Sequence, residues 1–147
     1  MMRIARNVEI AAPPEAVFAV VSDLSTHTEW RPAVKEFRTA DGEPAAVGSE
    51  IVEVVRFAGR DVNMRYRVTE LEAPRVLTAE GIAGPLPAVI RFELEPTGIG
   101  TVTTFVFDTE RPRLGGVLPF PFFGPLMGRY MVDELRRLKT LVETGAR

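Results

Sequence analysis

The sequence predicts an α+β protein: a curved antiparallel sheet of about seven strands, wrapped around one long C-terminal helix, with two short helices after the first strand. Residues 34–110 alternate between apolar-rich segments and short turn clusters, which antiparallel neighbours can use and parallel ones cannot. A double proline follows the first apolar segment, and a long helical stripe closes the chain. Such a helix can bury its stripe only against the sheet.

The first strand is read over 4–11, with Ile4, Val8 and Ile10 on one parity. Pro13-Pro14-Glu15 starts a helix, because proline is tolerated where the first N–H groups are unpaired and Glu15 suits the positive helix end. Val17, Val20, Val21 and Leu24 form its stripe, and Asp23-Leu24-Ser25 interrupts it. Thr26-His27-Thr28-Glu29 matches a capping box with Thr26 as the N-cap. That second helix must be short, since Pro32 disfavours helical geometry at Arg31.

Further strands are read over 34–39, 49–57, 62–69, 76–80, 88–95 and 101–110. Turns fall at 40–44, 58–61, 72–75 and 96–100, and 81–87 reads as a Gly/Pro loop. Val62, Met64, Tyr66 and Val68 share one parity, as do Ile90, Phe92 and Leu94, and Phe105 and Phe107. The segment 114–125 reads as a Phe-rich loop, and the last helix runs from about Leu126 to Thr144, with Gly145 just past its end. With no repeat and no linker, 1–147 reads as a single domain.

Composition narrows the function. There are no cysteines, which excludes disulfides, thiolate metal sites and a cysteine nucleophile. One histidine and scattered carboxylates predict no metal. A net charge of -2 without a basic run predicts no nucleic-acid partner. No run approaches the ~18 apolar residues of a membrane span, so no stable membrane insertion is expected. The opening MMRIARNVEI lacks the apolar core of a signal peptide, and a cytoplasmic location is expected. No cofactor is expected: Gly98-Ile99-Gly100 sits in a hairpin with no helix after it, and no Gly-x-Ser-x-Gly elbow exists.

The inward-parity residues Phe57, Met64, Tyr66, Phe92, Phe105, Phe107, Phe123, Met127, Tyr130 and Met131, with Trp30, are the candidate ligand-binding set. Each can equally be plain core, and Trp30 an anchor for the short helix. His27 is expected on the helix surface, with a general-base role as the alternative. Glu134 lies near the apolar stripe one turn from Tyr130; if inward, it is a buried acid with a raised pKa and a catalytic candidate together with Tyr130. Strand carboxylates such as Glu93 are expected to face water beside Arg65, Arg67 and Arg91.

The opening VEIAAPPEAVFAVVSDLSTHTEWRP, the VGSEI entering the third strand, YRVTELEAPRVL across a later turn and the amphipathic last helix together resemble the START-like helix-grip superfamily (SRPBCC), polyketide cyclase/dehydrase-like branch. The resemblance covers nearly the whole chain. It implies a helix-grip fold with an apolar cavity between sheet and C-terminal helix, binding a small hydrophobic ligand: a lipid, polyketide or aromatic metabolite. One alternative is a cyclase/dehydratase-like enzyme using cavity acid/base groups. Another is an interaction module acting through the Phe-rich loop 114–125. The chain is expected to be a monomer or a homodimer.

Overall fold

The computed structural model describes residues 2–110 and 120–145. Strand β1 (Met2–Ile10) is followed by helix α1 (Pro14–Val21), a 3-10 turn (Leu24–Thr26) and the one-turn helix α2 (His27–Trp30). Then come β2 (Val34–Thr39), β3 (Glu50–Phe57), β4 (Arg60–Glu72), β5 (Val76–Ala83), β6 (Ala88–Pro96), β7 (Thr101–Thr109) and α3 (Phe120–Thr144). The strands form one antiparallel sheet in the order β1-β7-β6-β5-β4-β3-β2. It is the curled sheet around a C-terminal helix that the sequence predicts.

Alternation places the core. Along β4, Val62, Met64, Tyr66 and Val68 are buried and the residues between them exposed. Register then sets Phe92 opposite Phe105, and Ile90 opposite Phe107. Helix α3 runs alongside β1. Lys139 Nζ donates to the Glu9 carbonyl at 2.9 Å, and the Ala11 amide donates to Glu143 at 2.8 Å. The outer face carries charge pairs, among them Arg91 of β6 with Glu70 of β4 and with Glu93 on its own strand.

Three expectations are corrected. The capping box does not form: the Thr26 hydroxyl turns inward, 2.7 Å from the Val20 carbonyl and 2.8 Å from that of Asp23, and no side chain caps α2. Instead Asp23 caps the 3-10 turn, accepting from the Ser25 amide. Strand β5 continues through Gly81–Ala83, with Gly81 opposite Tyr66. A side chain at Gly81 would meet the Ala88 carbonyl oxygen at 2.8 Å, so the glycine marks a close backbone approach rather than a loop. Helix α3 begins at Phe120, so 120–125 is helical; 114–119 lie outside the described residues. Pro121 occupies the first turn, where its missing N–H costs nothing, and Pro125 removes one intrahelical bond without ending the helix.

The β3–β4 hairpin turns on Ala58 (φ 52°) and Gly59 (φ 80°), both left-handed. Two-residue turns of this kind favour Asn-Gly, and an alanine there carries a steric cost. Ala58→Asn is therefore expected to stabilise the protein by about 0.5–1 kcal/mol, read as a small rise in thermal midpoint.

Candidate functional site

The inner face of the sheet carries one anomaly, a set of charges inside an apolar core. In β3 the buried residues are Ile51, Glu53 and Phe57, so Glu53 points inward opposite Met64 of β4. Helix α2 delivers His27, and the residue that ends it, Arg31, is turned into the interior by the break before Pro32. Helix α3 delivers Glu134, on the same face as Met131, Leu135 and Leu138.

These groups meet around the Arg31 guanidinium. Its Nε donates to Glu134 Oε2 at 2.8 Å, and a terminal nitrogen donates to Glu53 Oε2 at 3.2 Å. The other terminal nitrogen lies 3.2 Å from His27 Nδ1. His27 Nε2 sits 2.7 Å from the Val21 carbonyl, which can only accept. The proton is therefore on Nε2, and Nδ1 accepts from Arg31. The Tyr66 hydroxyl donates to Glu53 Oε1 at 3.4 Å. The guanidinium also lies 5.2 Å from the centre of the Phe37 ring and 5.7 Å from that of Phe105.

Burial sets the protonation tendencies. It pushes the carboxyls of Glu53 and Glu134 above the usual range, with Arg31 opposing but not cancelling. His27 is pulled well below its ordinary value, first by burial and then by the Arg31 charge. Burial also pushes the Tyr66 hydroxyl well up, with Glu53 adding to it. For Arg31 burial works against the charge, but Glu134 and Glu53 more than restore it. The cluster thus holds one permanent cation and two carboxyls with a raised tendency to keep a proton. Among the described residues, Glu134 Oε1 is buried without a hydrogen-bond partner.

The residues expected to line a ligand site belong to, or pack against, one buried apolar cluster. Phe92 stacks on Phe105 at 4.3 Å, Trp30 meets Phe92 edge-on at 5.9 Å, and Phe123 lies between Phe57 (5.4 Å) and Phe107 (6.0 Å). Met64, Met127 and Met131 belong to the same buried cluster, and Tyr130 packs against it, half-buried, with its ring 5.2 Å from Phe57. Phe57, Met64, Tyr66, Phe92, Phe105, Phe107 and Phe123 are each at most 2% exposed. An open groove of about 1470 Å³ is lined by Phe18, Leu24 and Phe37 and by none of these candidate residues.

Glu134 is inward, as its place near the stripe allowed, but its partner is Arg31 rather than Tyr130. His27 is fully buried, against the expectation of a surface position; α2 presses it flat against Phe37 at 4.3 Å. Trp30 is the anchor, fully buried, with its indole N–H donating to Thr26 Oγ1 at 3.3 Å. Of the Phe-rich segment, Phe122 is exposed and Phe123 buried. Sequence reasoning missed Arg31 and Glu53. Glu53 could have been found from its parity with Ile51 and Phe57, had Val52 and Val54 not made both faces of β3 apolar.

Known proteins give a consistent picture. The family described as "Polyketide cyclase / dehydrase and lipid transport" matches residues 1–143. A protein named as a toxin in Mycobacterium tuberculosis (strain ATCC 25618 / H37Rv) is 23% identical over 118 residues, covering 79% of this chain and 81% of that one. The solved aromatase/cyclase Zhui of Streptomyces sp. R1128 superposes with a TM-score of 0.80 at 17% identity, over 99% of this chain and 96% of its own. A START superfamily protein of Mycobacterium smegmatis gives 0.78 at 23% identity, over 97% of each chain. At these identities the solved structures speak for the fold alone. No helix among the described residues is long and apolar enough to cross a membrane.

Proposed function

We propose that this chain, which belongs to the polyketide cyclase / dehydrase and lipid transport family, binds a small hydrophobic molecule between its curled sheet and α3 and orients it on the Arg31 cluster. One observation carries the reading: a charged cluster lies inside an apolar interior, and one of its carboxylate oxygens, Glu134 Oε1, has no partner among the described residues. Burying ions costs several kcal/mol each even when paired, and apolar side chains of similar volume would commonly do as well or better for stability. A ligand hydroxyl or amine donating to Glu134 Oε1 would satisfy the open acceptor, while rings and thioethers take up the apolar body. Trp30, Phe57, Met64, Tyr66, Phe92, Phe105, Phe107, Phe123, Met127, Tyr130 and Met131 form the walls. Most of these side chains are fully buried, so entry would displace some of them. Met64, Met127 and Met131 are the unbranched ones best able to move.

The test is native mass spectrometry of protein purified from its own host, followed by thermal shift with the molecule recovered. A co-purifying hydrophobic species that raises the thermal midpoint, and binds more weakly to Glu134→Gln and to Met131→Trp, is the expected result. Absence of any such species, together with no response to long-chain fatty acids or polycyclic phenols, would sink the reading.

A cyclase-like activity is the second reading, favoured by the raised carboxyl of Glu134. When it holds a proton, Glu134 could donate to a substrate oxygen and recover the proton from carbon. Glu134→Gln separates the two: ligand binding retained with turnover lost marks an enzyme, while weakened binding of a ligand that the wild type leaves unchanged marks a carrier.

A further inference from the structure

We propose that the open groove beside Phe37 docks an extended segment of a partner protein that carries lysine or arginine beside apolar side chains. The groove borders the consecutive residues Phe37, Arg38, Thr39 and Ala40, inward-facing and outward-facing alike. It therefore runs along the edge of β2 and not merely over one face. Among the described residues, β2 is the outermost strand with β3 its only strand partner; the 3-10 turn and α2 pack on part of it, while the opposite edge, β1, is flanked by α3. An extended peptide can add to such an edge through main-chain hydrogen bonds.

The groove also states the partner's chemistry. Phe18, Leu24, Phe37 and Leu71 supply an apolar floor. On the rim stand Glu15, Asp41 and Glu43, all exposed and none in an ion pair among the described residues. Among the described residues, Arg38 is the only basic one lining it, and its guanidinium is held by Glu36 at 2.5 Å and the Thr39 carbonyl at 3.3 Å. An apolar floor under an acidic rim complements a cationic, partly apolar chain. At about 1470 Å³ the groove exceeds the ~300–1,000 Å³ of ordinary small-molecule pockets, which favours an extended occupant.

The probes are two short fluorescein-labelled peptides, one alternating lysine with valine and its twin with glutamate for lysine, read by fluorescence anisotropy on the full chain. The lysine peptide is expected to bind, more weakly as salt rises, and the glutamate twin not to bind. Asp41→Lys/Glu43→Lys and, separately, Leu71→Asp should each weaken binding roughly tenfold or more, as loss of rim charge or of buried floor predicts. Glu80→Lys/Glu95→Lys, at exposed positions outside the groove, should leave it unchanged. Fluorescence of the single tryptophan confirms that each variant is folded. No binding, or equal weakening by both charge reversals, overturns the proposal. Undiminished binding of a lysine peptide N-methylated at alternate residues also overturns it, because strand addition needs those N–H groups.

Discussion

Arg31→Met is expected to be among the most destabilising single changes in this protein at neutral pH, costing about 3–5 kcal/mol, or roughly 10 °C in thermal midpoint. The reason is not the lost methylene packing. Removing the guanidinium leaves Glu53 and Glu134 buried at 3% and 4% exposure with no cation, and strips His27 Nδ1 of its donor. Glu→Gln at either carboxylate should cost less, since Arg31 keeps one ionic partner and the amide oxygen still accepts. The triple variant Arg31→Met/Glu53→Leu/Glu134→Leu separates charge from shape. If the loss comes from uncompensated charge, the triple variant recovers at least half of it. Equal loss in the single and triple variants would refute the electrostatic account. Urea unfolding followed by the Trp30 emission measures all three.

The same cluster fixes a pH dependence whose sign can be worked out. Folding raises the Glu53 and Glu134 carboxyls above the 4.5 of the free side chain. Their contribution to stability is then fully present below pH 4.5 and is lost as pH rises through the folded-state values. His27 acts in the opposite sense. Its folded value lies well below 6.5, so its contribution is present above pH 6.5 and is lost as pH falls. The whole-protein profile mixes the two. Subtracting the Glu134→Gln profile from that of the wild type isolates the acid, and the wild type should lose ground to the variant as pH rises from 4.5 toward neutrality. A flat difference curve would mean that Glu134 titrates no differently in the folded chain. In Arg31→Met the penalty should shrink at acid pH, because the orphaned carboxyls can take up protons.

Local pattern made the frame legible and left the charges hidden. Alternation along β4, β6 and β7 identifies Met64, Tyr66, Phe92, Phe105 and Phe107 as inward, since a half-buried strand shows its period in the sequence. The double proline and Pro32 bracket the two short helices for steric reasons that act within one or two residues. Arg31 and its partners are another matter. Glu53 lies 22 residues away and Glu134 lies 103 away, and nothing local records that three elements bring them together. The capping box failed for a related reason. Thr26 has a stronger use inside, receiving the Trp30 indole N–H and donating to main-chain carbonyls, so tertiary packing overrode a local signal. At the start of α3, proline's usual role as a breaker concealed a helix that tolerates it near its first turns.

Trp30→Ala should cost about 3–5 kcal/mol, the range for deleting a fully buried aromatic ring. Trp30 is 0% exposed, and its ring has four kinds of neighbour to lose. It lies 4.7 Å from His27 and 5.9 Å from Phe92, the Arg31 guanidinium sits 5.9 Å from its centre, and its N–H bonds Thr26. The cavity therefore opens directly beside the ionic cluster. Trp30→Phe keeps much of the ring volume and the Phe92 contact while releasing the Thr26 hydroxyl from its donor, so it should recover more than half of the loss. If the helix that carries Trp30 also positions Arg31, Trp30→Ala and Arg31→Met should couple. A double-mutant cycle is then expected to return an interaction energy above about 0.5 kcal/mol, with the double variant less destabilised than the sum of the singles. Strict additivity would show that α2 holds Arg31 without the help of its tryptophan, and that the break before Pro32 alone aims the guanidinium at Glu134.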